Sequence, residues 1–312
     1  MTRRQKVTSV RKDTINLVIV GTMALDSVKT PFGETADALG GSATYAALAA
    51  SYFVQPGVVS IIGQDFADDH ISFLQKHQID LAGVEHRGQT FRWSGSYEYD
   101  MNQAKTHKTE LNCLADFNPK LPKSYINVQF VFLANFDPTL QSKVLDQLDH
   151  RTFVVLDTMN YWIATNKVAL CEVISRVNML VINEGEARQL CDSSNLIKAG
   201  RILLDMGPEY VIIKKGEHGA LLFSRHAYFS APSYPLEELR DPTGAGDSFA
   251  GGLIGYLAGV GVISDASIRR SIIYGSAIAS CCAEAFSADY RSKTKLADIE
   301  ERFETLKKIR EF

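Results

Sequence analysis

Short β-branched runs and longer helical stretches take turns along this chain of 312 residues, and that alternation narrows the fold more than any other feature. Residues 16–21 carry Leu17-Val18-Ile19-Val20 and stop at a glycine. A strand with no polar side needs cover on both faces. Similar runs recur at 58–62, 130–133, 153–157, 179–183 and 210–214, and a hairpin pattern spans 220–229. Helical patterns separate them at 42–53, 68–77, 140–148, 167–175, 184–191 and 195–205, and three more follow at 247–258, 267–285 and 297–309. Repeated strand–helix units give an α/β fold whose mostly parallel sheet is covered by helices on both faces.

Two segments break the alternation. Residues 24–30 lead through Pro31-Phe32-Gly33 and return toward Leu39, which reads as a hairpin. In the second segment Phe91, Trp93, Tyr97 and Tyr99 all fall on odd positions, the spacing of one face of a strand. A turn near Asn102 leads back through 105–111. The ladder reads either as the packed face of a small sheet or as a wall that stacks on a ligand ring. Hairpins at 24–39 and 91–111 are best placed together as a β-lid over the carboxyl edge of the main sheet, where open α/β sheets bind ligands. No linker or internal repeat appears, so residues 15–312 read as one domain. Residues 1–14, with Arg3, Arg4, Lys6, Arg11 and Lys12, read as a mobile, solvated tail.

Composition removes several partners. A net charge of −3 gives no basic stripe for nucleic acid. No apolar run reaches the roughly 18 residues of a membrane span, and the basic start leads into a strand and not into an apolar signal core. Cys113, Cys171, Cys191, Cys281 and Cys282 form no C-x-x-C pair, so neither a zinc site nor a disulfide framework is expected. A reducing, cytoplasmic location follows.

The chemistry concentrates in Asp241-Pro-Thr-Gly-Ala-Gly-Asp247-Ser-Phe-Ala-Gly-Gly252. Pro242 makes a rigid turn, Gly244 and Gly246 permit backbone conformations closed to other residues, and the apolar run that follows reads as a helix. Free N–H groups at that helix start form an anion nest. A single carboxylate there is commonly just a first-turn acid. Flanked by glycines at a phosphate nest, Asp247 also suits phosphoryl transfer, in which it accepts the proton of an attacking hydroxyl.

This segment resembles the C-terminal signature of the ribokinase-like, or PfkB-type, carbohydrate and nucleoside kinases. Gly40-Gly41-Ser-Ala-Thr-Tyr-Ala-Ala-Leu-Ala-Ala50 resembles their double-glycine signature, Asn183-Glu-Gly-Glu186 their N-x-x-E motif, and Lys215-Gly-Glu-His-Gly219 their nucleotide-side glycine loop. The four stand in the family's order across about residues 16–290. The resemblance implies a three-layer α/β/α sandwich with a β-lid, ATP as donor, magnesium as cofactor, and an alcohol group of a sugar, sugar derivative or nucleoside as acceptor.

By the same resemblance Asp247 is the base, and the amides of Gly244, Ala245, Gly246 and Asp247 are the anion hole. Asn183 and Glu186 order magnesium through water, although the pair would equally make a helix capping box. Lys214, Gly216, Gly219 and Ser276 fall on the nucleotide side. Asp26 matches the aspartate that holds substrate hydroxyls, and Gly41 lets the backbone approach. Tyr45 replaces an asparagine common in sugar kinases, so ribose or fructose specificity does not carry over. Trp93, Asn135 and Asn160 are further candidates for acceptor contact. Asp241 and Thr243 resemble a monovalent-cation site, such as one for potassium. A homodimer through the lid fits the expected exposed sheet edges.

Rival readings fail on their motifs. Gly21 stands alone without G-x-G-x-x-G, which excludes the dinucleotide-binding fingerprint, and G-x-x-x-x-G-K-[S/T] is absent. A vitamin or pyrimidine-type kinase on the same fold and an inactive ligand sensor remain the alternatives.

Overall fold

The computed structural model describes residues 15–311, so the basic tail at 1–14 lies outside the described residues. Nine strands form the main sheet: β1 (Leu17–Val20), β4 (Pro56–Ile62), β5 (Asp80–His86), β8 (Phe130–Leu133), β9 (Phe153–Asp157), β10 (Met179–Asn183), β11 (Tyr210–Lys214), β12 (Ala220–Ser224) and β13 (Tyr228–Ala231). Their spatial order is β13-β12-β11-β10-β9-β8-β1-β4-β5. Every pair is parallel except β11–β12 and β12–β13.

The helices make this a three-layer sandwich. Leu17 and Ile19 point into one core, which they share with α1 (Ser42–Ala50), α2 (Asp68–Lys76), α8 (Ala245–Val260), α9 (Asp265–Ala283) and α11 (Leu296–Lys308). Val18 and Val20 point into the other, shared with α3 (Pro138–Leu145), α4 (Asn160–Thr165), α5 (Lys167–Ile174), α6 (Glu184–Cys191) and α7 (Leu196–Asp205). All four β1 residues have no solvent exposure, as a strand with covered faces requires.

Small residues bring α1 and α8 together. A Cβ on Gly251 would lie 2.2 Å from the Ala46 carbonyl, and one on Gly255 would lie 2.6 Å from Ala50 Cα. The two helices therefore touch backbone to backbone, and a larger side chain would force them apart.

A second sheet joins the two hairpins. Strands β2 (Ala24–Thr30) and β3 (Gly33–Gly40) pair antiparallel, as do β6 (Phe91–Ser96) and β7 (Lys105–Glu110), and β2 pairs parallel with β6. Both outer strands carry exposed charged residues, which discourage pairing with other strands. The aromatic ladder is not continuous. A register shift between Ser94 and Gly95 interrupts it, β6 ends at Ser96, and Tyr99 is 89% exposed. An extra residue at a bulge breaks period-2 spacing. Strand β5, α4 and the short α10 (Tyr290–Lys293) have no counterpart in the sequence expectation. In β5, Glu85 and His86 are exposed, so its apolar pattern is weak.

Among the described residues all five cysteines are unpaired, and no single helix is long and apolar enough to cross a membrane.

Candidate active site

Strand order reverses beside β1. The chain passes from β1 to β4 and β5 on one side and then from β8 to β13 on the other. At such a switch point the loops diverge and leave a crevice at the carboxyl ends of the strands. Gly21, Asn135, Asp157, Asn183 and Lys214 all stand at that edge. The second sheet rises from the same edge, because β2 begins three residues after Gly21.

The double glycine exists to accommodate Asp26. Gly41 N–H donates to Asp26 Oδ2 at 3.2 Å, and a Cβ on Gly40 would fall 2.0 Å from the same oxygen. Gly41 has φ +94, and a Cβ on it would lie 2.5 Å from the Thr22 carbonyl. Asp26 is 5% exposed, and burial pushes its pKa up to about 7 against the Gly41 hydrogen bond, with Asp247 and Asp241 adding to the rise.

Gly244, in the left-handed region at φ +76, caps α8 and places Ala245, Gly246 and Asp247 in the first turn; Ala245 N–H is tied back to the Pro242 carbonyl at 3.0 Å, while those of Gly246 and Asp247 have no backbone partner. Asp241 shapes the loop from beneath. It has no solvent exposure, and its oxygens accept from Thr243 N–H at 2.9 Å and Ser287 N–H at 3.1 Å. Burial pushes Asp247 up to about 7, Asp157 pushes further, and Lys214 opposes.

Tyr45 is not where an acceptor contact belongs. It is 1% exposed, and its ring lies so close beneath Gly244 that a Cβ there would meet it at 2.4 Å. Its hydroxyl is buried without a hydrogen-bond partner, as is Thr243 Oγ1. The expectation of a substrate-binding Tyr45 is thus corrected. The ring is stowed in the core as a prop beneath the Gly244 turn.

On the nucleotide side, Asn183 and Glu186 do form a capping box. Asn183 Oδ1 accepts from Glu186 N–H at 2.8 Å, and Glu186 Oε2 accepts from Asn183 N–H at 2.9 Å. The box leaves Oε1 unused and fixes the side chain, which is only 7% exposed. Burial pushes the Glu186 pKa up, Lys214 opposes and Asp157 adds. Lys214 Nζ donates to Asp157 Oδ2 at 3.0 Å. Gly216 and Gly219 hold positive φ, at 54° and 81°, in the loop after β11. Ser276 is 8% exposed on α9. Among the described residues no three metal-ligating side chains converge into a ready cage.

On the acceptor side, Trp93 is the register partner of Asp26. Its ring covers Gly95, where a Cβ would meet it at 2.5 Å, and its Nε1 donates to Thr106 Oγ1 at 3.1 Å. Asn135 receives the Trp162 Nε1–H at 3.0 Å on its Oδ1, and its Nδ2 points at Met159 Sδ at 3.1 Å. Asn160 is exposed at the start of α4.

Sequence reasoning missed three residues. Asp157 was read only as a strand end, although a carboxylate closing an apolar run was a signal. Trp162 carried no pattern. Tyr97 was read as one rung of the ladder, yet it follows the bulge and lies near Thr243. Burial there pushes its hydroxyl up to about 12, Thr243 opposes, and Asp241, Asp26 and Asp247 add.

Known proteins share this fold. The family profile described as pfkB family carbohydrate kinase matches residues 22–295. A cytidine kinase of Thermococcus kodakarensis is 29% identical over 261 residues, covering 78% of this chain and 90% of the relative. A nucleoside kinase of Burkholderia thailandensis, solved with ADP-inosine, superposes with a TM-score of 0.75 at 17% identity over 93% of this chain and 95% of that one. An Escherichia coli protein provisionally named ribokinase II, solved with ATP and Mg2+, gives 0.75 at 19% identity over 93% and 99%.

Proposed function

The chain belongs to the pfkB family of carbohydrate kinases, and on that premise we propose that it transfers a phosphoryl group from ATP to a ribose hydroxyl of a nucleoside. One observation carries the choice of acceptor. On the second sheet a buried carboxylate and an indole ring stand side by side, Asp26 opposite Trp93 on adjacent strands. A carboxylate accepts from two neighbouring hydroxyls, and a flat indole stacks on a base. The cytidine kinase relative supports the same class.

In this reading the acceptor lies between the lid and the switch point, with Asp26 and the Gly41 backbone holding its hydroxyls. Asn135, braced by Trp162, lines one wall, and Asn160 stands at its rim. Asp247, held near neutral pKa by its surroundings, takes the proton as the hydroxyl attacks. The amides of Gly244, Gly246 and Asp247 receive the developing charge without reorganising, while Ala245 N–H, bonded to the Pro242 carbonyl, holds the turn in shape. The lid keeps water from competing for the phosphoryl group. Gly216, Gly219 and Ser276 take the nucleotide, with Lys214 facing its terminal phosphate.

The residues present fit magnesium. Glu186, Asp157 and Asp247 all act electrostatically on the Lys214 ammonium, and magnesium prefers oxygen donors while keeping several waters. Glu186, through its free Oε1, and Asn183 would order those waters, and bound magnesium would neutralise charge on the phosphate oxygens. The orphaned Thr243 hydroxyl beside buried Asp241 supports a monovalent cation such as potassium behind the anion hole.

Coupled ADP release tests the reading, with cytidine, uridine, adenosine and inosine run against ribose, hexoses and inositols. Turnover of a nucleoside, weakened in KM by Trp93→Ala, is the expected result. Turnover of base-free sugars alone would remove the nucleoside assignment.

A further inference from the structure

Asp157 and Lys214 lie 57 residues apart in sequence and meet at the carboxyl edge of the main sheet, where Lys214 Nζ sits 3.0 Å from Asp157 Oδ2. Neither side chain can move far, since they are 17% and 4% exposed for Lys214 and Asp157. The ammonium also stands over the anion hole, because a Cβ built on Gly246 would lie 3.3 Å from Nζ. Stability does not account for the pair. Desolvating two charges offsets most of their attraction, and an apolar pair of the same volume commonly serves as well. Here the ammonium also feels the charges of Glu186 and Asp247, so three carboxylates act on one cation beside the start of α8.

We propose that Asp157 is a positioning residue that holds the Lys214 ammonium above the anion hole, so that the phosphoryl group in transit meets a protein cation already in place. This rests on the kinase reading above and deepens it, assigning Lys214 to the transferred group and not to general nucleotide affinity. A cation fixed before the reaction needs no reorganisation as charge moves onto the equatorial oxygens. A lysine at the end of a strand without Asp157 would swing into solvent on its four-carbon stem. With Asp157, its ammonium is restricted to the few ångströms between that carboxylate and Gly246. During transfer the γ-phosphorus–oxygen bond to ADP breaks, the bond to the acceptor oxygen forms, the acceptor proton passes to Asp247, and Lys214 keeps its own proton throughout.

The test compares Lys214→Met, Asp157→Asn and the double variant by coupled ADP release with the best acceptor from the nucleoside panel, alongside equilibrium binding of ADP. Lys214→Met is expected to lower kcat by about 10²- to 10³-fold, the cost of losing one preorganised charge contact, with ADP affinity within about threefold. Asp157→Asn is expected to lower kcat by tenfold or more, as ~10-fold is the least a lost positioning contact costs, also with ADP affinity kept. The double variant should be no slower than Lys214→Met, because residues that act as one unit are not additive. Asp157→Asn alone leaves a buried ammonium unpaired and could unfold the chain, in which case the double variant, with both charges gone, and Lys214→Met decide. Wild-type kcat in folded Asp157→Asn, losses that multiply in the double variant, or a Lys214→Met whose loss falls on ADP affinity would each overturn the proposal while leaving the kinase reading intact. A wild-type protein that releases no ADP with any acceptor would overturn the kinase reading itself.

Discussion

Asp26 on β2 and Trp93 on β6 are register partners across the one parallel pairing that unites the two hairpins. Aligned residues of neighbouring strands share a face, so the Asp26 carboxylate and the Trp93 indole address the same space. Asp26→Ala should raise the acceptor KM by about 10- to 100-fold, the range for hydrogen bonds to a charged group, and leave the ATP KM within about twofold. Trp93→Ala should raise the acceptor KM by about tenfold, the low end of base–aromatic stacking. Steady-state kinetics with both substrates varied would check this. A change confined to the ATP KM would place the acceptor at the wrong end of the site.

Asp247→Asn should keep ATP binding and lower turnover by about 10²-fold or more. A base works deprotonated, and burial with Asp157 nearby raises the Asp247 pKa to about 7. Wild-type kcat/KM for the acceptor should therefore be full above that value and fall as pH drops through it. Asp26 titrates in the same range, so a logarithmic slope steeper than one is expected on the acid side. A flat profile from pH 5 to 8 would contradict both assignments.

Tyr45→Phe removes a buried hydroxyl that has no hydrogen-bond partner. Such a deletion relieves a desolvation cost and breaks no bond. Tm should hold or rise, and the acceptor KM should stay within about twofold of wild type, the noise of a non-contact. Gly244→Ala is the opposite case. It adds a Cβ 2.4 Å from the Tyr45 ring at φ +76, and both the clash and the left-handed backbone should distort the anion hole. Its kcat should collapse with a lowered Tm.

Asn102, at the tip of the β6–β7 hairpin, donates from Nδ2 to Glu217 Oε2 at 2.8 Å, and a Cβ on Gly216 would sit 2.1 Å from Asn102 Oδ1. The lid therefore touches the nucleotide-side loop. Asn102→Ala should loosen this exposed contact by about 0.5–1 kcal/mol and raise acceptor-free ATP hydrolysis by a few-fold, measured as ADP released without acceptor. An unchanged hydrolysis rate would show that the tip contact does not govern closure.

Glu186→Ala should shift the magnesium dependence of the rate to higher concentration and lower Tm by loss of the capping box, worth about 1 kcal/mol. Asn183→Ala removes the other half of the box, the Oδ1 that accepts from Glu186 N–H, and should cost a similar stability. A magnesium titration identical to wild type would leave Glu186 with a capping role alone.

The alternation of β-branched and helical runs determined every strand of the main sheet except the half-exposed edge strand β5, because a strand covered on both faces must be apolar along its length whatever it pairs with. The glycines of the two signatures were legible for a related reason. Only glycine fits where Asp26 Oδ2 lies 2.0 Å from a Cβ position or where φ is +76, so the residue type carries the geometry with it. Other features rest on pairings between distant segments. The bulge at Ser94 and Gly95 ended the aromatic ladder and separated Tyr97 from Trp93, because a one-residue register shift changes which way side chains point. The crossing of α1 over α8 put Tyr45 under Gly244 in place of the acceptor. Asp157 and Lys214 met because strand order set β9 beside β10 and β10 beside β11. Local sequence records what each residue can do, while the side-chain neighbours that turn a carboxylate into a base or a brace are set by contacts between segments far apart in the chain.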